Sequence, residues 1–390
     1  MDYVNNGKNL LVFGSFTVRD WDLVRQRQQT LIDFLVNDFR IFYVERINPN
    51  TVGIKIIMKA CLKRFLAIRK MRMNRVNDKN LHFIQLKIFP IQKGIFRILN
   101  SWLVILQIKK IMKKNQVQYF DSIIISHPAN YVTDAFSKVP ARKTIYDCFQ
   151  RFEFNRNFPV EMGHNDKYIA KKVDMVIADS ITIYNEKKRL NKNVVRIPQG
   201  IDLENYNSNG AKNAGIPNDL LTMGKHRICY TGGFHQSFDF DLVGRLAASI
   251  PEATIVLIGK ETTEAQEKLI NDNIIFLGWK HYTELPLYMK YMDVFIIPYL
   301  LNERGKGVFP TKLFEYLYFR KPVISIALPD VIEYSKYLYV AYTKEEFVKL
   351  VKDSLFKGAN KLDSFNVNFF NQFMNANSWE SRYSEFNKYL

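Results

Sequence analysis

Short apolar runs alternate with helical patterns along almost the whole chain, and this alternation restricts the fold more than any other feature. Seven runs in the first half read as strands, at 10–13, 41–44, 81–86, 122–126, 144–146, 175–178 and 194–197. Five more follow at 227–230, 254–258, 274–277, 294–297 and 323–326. Continuous apolar strands separated by helices are typical of parallel sheets that are covered on both faces. The pattern therefore predicts an α/β protein.

A segment rich in Asn and Gly separates the two series of strands. It covers residues 205–225 and contains Pro217, which is typical of a linker. The 390 residues are enough for two domains. We therefore predict two Rossmann-like domains, at 1–204 and 226–375, that face each other across a cleft. Residues 376–390 show an amphipathic pattern and are expected to form a helix that could pack back on the first domain.

Cysteine content and hydropathy restrict the compartment. Cys61, Cys148 and Cys229 are odd in number and widely spaced. This spacing does not indicate a zinc site, and it favours a reducing compartment. The polar start of the chain does not read as a signal peptide, and the longest apolar stretches are too short to cross a membrane. We expect a cytoplasmic protein. The charge distribution further predicts that it associates peripherally with the inner leaflet of the membrane.

Positive charge is concentrated in one block of the first domain. Of the net charge of +18, residues 51–120 contribute +15, from sixteen Lys or Arg and the single acidic residue Asp78. These cations alternate with apolar residues at helical spacing, which suits an anionic bilayer surface. The predicted membrane-facing residues are Lys59, Lys63, Arg64, Arg69, Lys70, Arg72 and Trp102. The alternative is a set of helices that cover the sheet and expose a solvated basic face. No zinc-finger or RNP pattern favours nucleic acid as a partner.

The stretch 309–325 carries the most informative chemistry. After Pro310 and Thr311, a short predicted helix places Lys312 and Glu315 three residues apart, and therefore on one face. The start of a helix also favours anions. Lys312 could hold a diphosphate while Glu315 accepts hydrogen bonds from ribose hydroxyls, as a nucleotide sugar requires. The alternative is an ordinary exposed ion pair.

Further candidates follow the other strands of the second domain. Glycines at strand ends allow a ligand to approach the backbone closely, and the carboxyl ends of parallel strands share one edge of a sheet. The predicted donor-binding residues at this edge are Gly232, Gly233, Gly278, Trp279, Tyr299, Arg304 and Lys306. Gly232 and Gly233 could equally form a plain tight turn, Trp279 could be packing, and Arg304 and Lys306 could be solvated loop charges.

Three residues at strand ends of the first domain could accept a proton from a hydroxyl group. They are Asp20, His127 and Asp147. His127 precedes Pro128 and could instead belong to a turn, and Asp147 could cap a helix. Glu153 and Glu161 are further candidates.

The order of these motifs resembles a GT-B glycosyltransferase of the family 4 kind. The resemblance covers nearly the whole chain. It rests on the glycine turn at 232–233, the strand ends at Gly259 and Gly278, the helix motif 310–316, and the first-domain segments 174–180 and 197–202. Trp21, Arg25 and Gln28, with the segment 146–148, are similar to the teichuronic-acid and xanthan-type enzymes. That likeness makes Asp147 the first choice as catalytic base, with His127 second.

Two departures from the family pattern affect the site. Many retaining members carry two glutamates with seven residues between them; Glu315 matches the second, but Gly307 stands at the position of the first. Where such members place basic residues after the glycine turn, this chain has only His235. Phosphate binding is therefore expected to rest on Lys312, Arg304 or Lys306.

The resemblance implies a transferase that moves a sugar from a UDP- or GDP-linked donor to a lipid-linked or saccharide acceptor in bacterial-type surface or exopolysaccharide assembly. No Asp-x-Asp pair marks a metal–diphosphate site, so neither a metal nor a resident cofactor is expected. The alternatives are a sugar-nucleotide 2-epimerase of the same fold and a non-enzymatic basic scaffold that binds membrane or nucleic acid.

Overall fold

A computed structural model describes residues 7–21, 25–47, 80–89, 91–208 and 215–390. Its strands are β1 Asn9–Phe13, β2 Arg40–Val44, β3 Leu81–Ile84, β4 Phe120–Ile125, β5 Ala141–Cys148, β6 Met175–Ala178, β7 Val194–Arg196, β8 Arg227–Thr231, β9 Thr254–Ile258, β10 Ile274–Phe276, β11 Val294–Ile297, β12 Val323–Ile326 and β13 Tyr339–Ala341. The α-helices are α1 Arg27–Leu35, α2 Gly94–Lys114, α3 Asn130–Thr133, α4 Glu161–Lys172, α5 Ile181–Lys188, α6 Leu203–Asn207, α7 Asn218–Leu221 and α8 Phe240–Ser249. They continue with α9 Thr263–Lys268, α10 Leu285–Met289, α11 Glu303–Lys306, α12 Lys312–Tyr318, α13 Pro329–Ile332, α14 Lys344–Phe356, α15 Val367–Ala376 and α16 Trp379–Asn387.

The strands form two parallel sheets, as the alternating pattern predicts. The order is β3-β2-β1-β4-β5-β6-β7 in the first sheet and β10-β9-β8-β11-β12-β13 in the second. Each sheet reverses its strand order once, between β1 and β4 and between β8 and β11. Ligands of open α/β sheets bind beyond the carboxyl ends of the strands at such a reversal. The prediction of an α/β fold with two Rossmann-like domains is confirmed.

The last helix leaves the second domain and contacts the first. α15 contributes Phe370 to the core of the second domain, whereas Trp379 and Phe386 of α16 are buried with the strands of the first. The ring of Tyr383 stacks on Phe34 of α1 with centroids 5.3 Å apart. The end of the chain therefore ties the two domains together.

The basic block is only partly described. Of the predicted membrane-facing residues, Lys59, Lys63, Arg64, Arg69, Lys70 and Arg72 lie outside the described residues, and Trp102 lies on α2. Within the described ranges, no helix is both long enough and apolar enough to cross a bilayer.

Candidate active site

The turn after β8 brings its backbone close to the side chain of Lys312. Gly232 has a φ of +128°, a conformation that favours glycine, and its N–H donates to the carbonyl of Ile258 at 2.8 Å. A Cβ at Gly232 would lie 3.2 Å from Lys312 Nζ, so a larger residue would crowd the ammonium. Gly233 has open space beside it. The two glycines thus form an open backbone edge next to a lysine.

Lys312 is buried, and none of the described carboxylates forms an ion pair with it. Its side chain is only 6% exposed, and its Nζ donates to the Tyr299 hydroxyl at 2.5 Å. The ammonium also lies 4.8 Å from the ring centroids of Tyr230 and Tyr299. Ring faces and a neutral hydroxyl compensate a buried charge incompletely. Lys312 can therefore gain a strong interaction from an anionic ligand. Because α12 has only seven residues, we assign this preference to the side chain rather than to the helix dipole.

Two further basic side chains adjoin Tyr299. The pKa of His235 is lowered to about 3, mainly by burial and then by the positive charges of Lys312 and Arg304. Its ring meets that of Tyr299 edge-on at 5.3 Å. Burial also lowers the pKa of Arg304, whose Nη1 has no hydrogen-bond partner among the described residues. We call the group formed by Lys312, Tyr299, His235 and Arg304 the cationic pocket. Its composition suits a phosphate group.

Glu315 lies one turn along α12 and is held separately from Lys312. Burial raises the pKa of its carboxyl group to about 7, while the charge of Lys312 and a hydrogen bond with Tyr206 oppose that rise and Asp202 adds to it. A partly buried carboxylate with this pKa suits neutral hydrogen-bond donors such as sugar hydroxyls. The expected division of labour between Lys312 and Glu315 therefore fits the geometry.

The remaining donor-site candidates divide into those at the same edge and those that face elsewhere. Gly278, with a φ of +68°, accepts a hydrogen bond from Gly259 at 2.9 Å, and the adjacent Trp279 is 51% exposed at this edge. Pro310 is buried and Thr311 exposed just before α12. Lys306 instead pairs with Glu303 at 2.7 Å, so its ammonium is engaged outside the cationic pocket.

Asp147 forms a buried ion pair with a residue far away in the sequence. Its side chain is 2% exposed, and Arg27 reaches it with Nε at 3.0 Å and Nη2 at 2.9 Å from Oδ1. Arg27 also donates to the carbonyl of Ile197 at 2.8 Å. A carboxylate held in this way links α1 to the ends of β5 and β7. The catalytic role of Asp147 stays a prediction, and this pairing favours a positioning role.

His127 presents an unsatisfied nitrogen at the end of β4. It is 4% exposed, its ring contacts those of Phe152 and Phe158, and Nδ1 has no partner within the described part of the chain. Burial, with the charge of Arg46, lowers its pKa to about 3, which keeps the imidazole neutral and makes it a weak base. Because Nδ1 of His127 is unpaired whereas Asp147 is held by Arg27, the contacts favour His127 over Asp147 as the group that meets an acceptor hydroxyl.

Two polar groups near His127 were not predicted from sequence as site residues. Gln28 accepts from the backbone N–H of Ser15 at 2.8 Å and from the Tyr43 hydroxyl at 2.9 Å, which leaves its Nε2 without a described partner. Ser126 Oγ is equally unpartnered among the described residues. Their positions after β1 and β4 are the signal that could have indicated them.

The other acidic candidates are occupied or undescribed. Glu153 pairs with Lys167 at 2.6 Å, and Glu161 pairs with Lys93 at 3.1 Å. Asp20 ends a short 3-10 helix at Val18–Asp20 whose last side chain is not described. These contacts favour structural or surface roles for the two glutamates.

The two parallel sheets have the architecture of the GT-B fold. The fold matches, over 98% of both chains, sucrose-phosphate synthase from Thermosynechococcus elongatus (TM-score 0.69, 14% identity) and Anabaena HepE in complex with UDP and glucose (TM-score 0.65, 13% identity). Residues 222–365, which lie in the second domain, match the family described as Glycosyl transferases group 1.

A curated relative matches part of the chain. TuaH of Bacillus subtilis (strain 168), described as a putative teichuronic acid biosynthesis glycosyltransferase, is 30% identical over 182 residues. The match covers 44% of this chain and 45% of TuaH, so the chain spans a little under half of the curated relative that it matches.

Proposed function

We propose that the chain is a glycosyltransferase that moves a sugar from a nucleotide-sugar donor to an acceptor hydroxyl in the assembly of a surface polysaccharide. The observation that carries this proposal is the cationic pocket, in which Lys312 lies beside an open glycine turn and Arg304 lies near Tyr299 and His235. The group 1 match over the same domain and the partial similarity to TuaH support it.

The pocket supplies what the departure of a nucleoside diphosphate requires. As the bond from the anomeric carbon to the β-phosphate oxygen breaks, negative charge grows on the leaving diphosphate. Preorganised cations and backbone N–H groups stabilise such charge most effectively where water is excluded. Lys312, Arg304 and the turn at Gly232 are placed to do so, while Glu315 orients the ribose through its hydroxyls.

The acceptor enters from the first domain. Its hydroxyl attacks the anomeric carbon and must lose a proton, for which the neutral imidazole of His127 is the best placed group among the described candidates. Ser126 and Gln28 provide hydrogen bonds for further hydroxyl groups. Arg27 and Asp147 then serve to fix the wall of this site.

The acceptor that we favour is lipid-linked, because α2 exposes an apolar face. Ile95, Ile98 and Trp102 are 68%, 71% and 57% exposed and share one side of the helix with Leu106. The exposed lysines Lys93, Lys109, Lys110, Lys113 and Lys114 flank this face. An apolar face bordered by lysines suits the headgroup region of an anionic bilayer. The chain would then act at the cytoplasmic leaflet, where nucleotide sugars are available.

Titration with UDP and GDP, followed by product analysis with nucleotide sugars, tests the proposal. We expect one nucleotide to bind in a Lys312-dependent manner, and its sugar conjugate to release that nucleotide in an acceptor-dependent reaction. A new sugar nucleotide formed from the donor alone would instead identify an epimerase. Failure of both nucleotides to bind would contradict a donor site.

A further inference from the structure

The segment between β11 and α12 lies between the cationic pocket and the first domain. It contains α11, whose Arg304 reaches the pocket. On its other side, the Thr182 hydroxyl donates to the carbonyl of Lys306 at 2.7 Å and the Ser180 hydroxyl donates to that of Gly307 at 3.2 Å. The donor site is therefore partly held in place by the opposite domain.

Arg151 makes the most extensive of these cross-domain contacts. Its side chain is 8% exposed, with Nη2 2.6 Å from Glu186 in its own domain and Nη1 3.2 Å from Glu303 on α11. Nη1 also donates to the backbone carbonyl of Glu303. The guanidinium lies 4.0 Å from the ring centroid of Phe154, which fixes its plane. Because two carboxylates balance its charge, Arg151 is suited to positioning and not to binding phosphate.

Gly307 gives Arg151 the space that it occupies. Its φ is −98°, a conformation open to any residue, so the backbone does not require glycine here. A Cβ at this position would instead lie 2.3 Å from Cδ and 2.8 Å from Cγ of Arg151. The space that a side chain at Gly307 would take is thus filled by an arginine from the first domain.

The loop after β5, which carries Arg151, also contacts the acceptor side of the site. Phe152 and Phe158, on either side of Phe154, pack against His127. One loop therefore touches the candidate base and grips the segment that carries Arg304. Contacts of this kind allow the two halves of a site to be organised together.

We propose that Arg151 is a positioning residue, which, through Glu303 and the gap at Gly307, holds Arg304 in the geometry that binds the nucleotide diphosphate. This inference rests on the proposed function, because it assigns the mechanical support of the same donor site.

A double-mutant cycle on UDP and GDP binding tests the inference, using whichever nucleotide the wild type binds more tightly. We expect Arg151→Ala to raise the Kd about tenfold, since residues that act as one unit couple by amounts of this order. Gly307→Ala should raise it similarly, because its methyl group displaces Arg151. The double variant should be no weaker than either single variant.

Two controls keep the result interpretable. Arg196→Ala removes another cross-domain arginine, which pairs with Glu333 at 2.7 Å and not with α11, and should leave the Kd unchanged. Glu303→Ala, at an exposed position, replaces Arg151→Ala if that variant fails to fold, and should raise the Kd severalfold. Additive effects in the double variant, or wild-type affinity in the Arg151 or Glu303 variants, would overturn the inference. If the wild type binds neither UDP nor GDP, both the proposed function and this inference are contradicted.

Discussion

The ammonium of Lys312 donates to the hydroxyl of Tyr299 at 2.5 Å and forms no ion pair with Glu315, although both residues are described and lie one turn apart on α12. Their charges are therefore kept for separate partners. An internal ion pair would have neutralised both groups, whereas this arrangement leaves a cation for phosphate and a carboxylate for hydroxyls.

Replacing Lys312 with Ala should abolish most nucleotide binding. A contact between a buried cation and phosphate oxygens contributes about 2–5 kcal/mol, so UDP or GDP affinity should fall by roughly two orders of magnitude or more. Isothermal titration of the variant checks this, with circular dichroism to show that it is folded. A folded Lys312→Ala variant with wild-type affinity would remove Lys312 from the donor site.

Tyr299→Phe should have a smaller effect than the loss of Lys312. It keeps the ring beside the ammonium and removes only the hydroxyl that accepts from Nζ, a hydrogen bond worth about 1–3 kcal/mol because the donor is charged. We expect nucleotide affinity to fall by about tenfold. An effect as large as that of Lys312→Ala would mean that the hydroxyl itself contacts the ligand.

Binding of a nucleotide sugar should strengthen as the pH rises from 6 to 8. Burial raises the pKa of Glu315 to about 7, so the group is mostly protonated at pH 6 and mostly ionised at pH 8. Only the carboxylate accepts hydrogen bonds from both ribose hydroxyls. UDP-glucose is the suitable probe, because its diphosphate diester does not titrate in this range.

The matched variant for this effect is Glu315→Gln. It should bind UDP-glucose more weakly at pH 8 and lose most of the pH dependence. A pH profile that persists unchanged in this variant would assign the titration to another group.

Burial of a second carboxyl group, that of Asp330 at the domain interface, predicts that the free energy of unfolding depends on pH. Asp330 accepts a hydrogen bond from the N–H of Ile181 at 2.9 Å, and burial raises the pKa of its carboxyl group to about 7. The folded protein therefore keeps a proton that the unfolded chain releases above its ordinary pKa, and the free energy of unfolding falls as the pH rises through that window.

Asp330→Asn should remove this loss of stability. Its amide oxygen can still accept from Ile181, so the variant should be more stable than the wild type by ~2 kcal/mol at pH 8 and similar to it near pH 4. Thermal unfolding at both pH values checks the difference. Arg196 Nη1 lies 3.7 Å from Oδ1 of Asp330. A variant that is less stable at pH 8 would show that this arginine requires the charged carboxylate.

Membrane docking should depend on the exposed face of α2. Ile98→Ser with Trp102→Ala removes most of its apolar area without touching the buried side of the helix. We expect this variant to float less well with vesicles that contain anionic phosphatidylglycerol, while its nucleotide affinity is unchanged. Flotation of the wild-type protein that does not depend on anionic lipid or on salt concentration would contradict membrane docking.

The sequence predicted twelve of the thirteen described strands because each of them contains a short apolar run. It missed β13, a partly buried strand at the edge of the second sheet. The donor site at the carboxyl edge of the second sheet stays a prediction, made because glycines and polar residues follow the strands. The sequence could not show that Arg27 pairs with Asp147, since 120 positions separate them, or that Arg151 fills the space beside Gly307. Contacts between distant segments of this kind depend on tertiary packing.

The most direct test of the account is a crystal structure with bound UDP. We predict that the diphosphate lies between the backbone of the turn at Gly232 and the Nζ of Lys312, with the ribose hydroxyls at the carboxylate of Glu315. UDP bound outside the cleft, or with its ribose directed away from Glu315, would contradict the account.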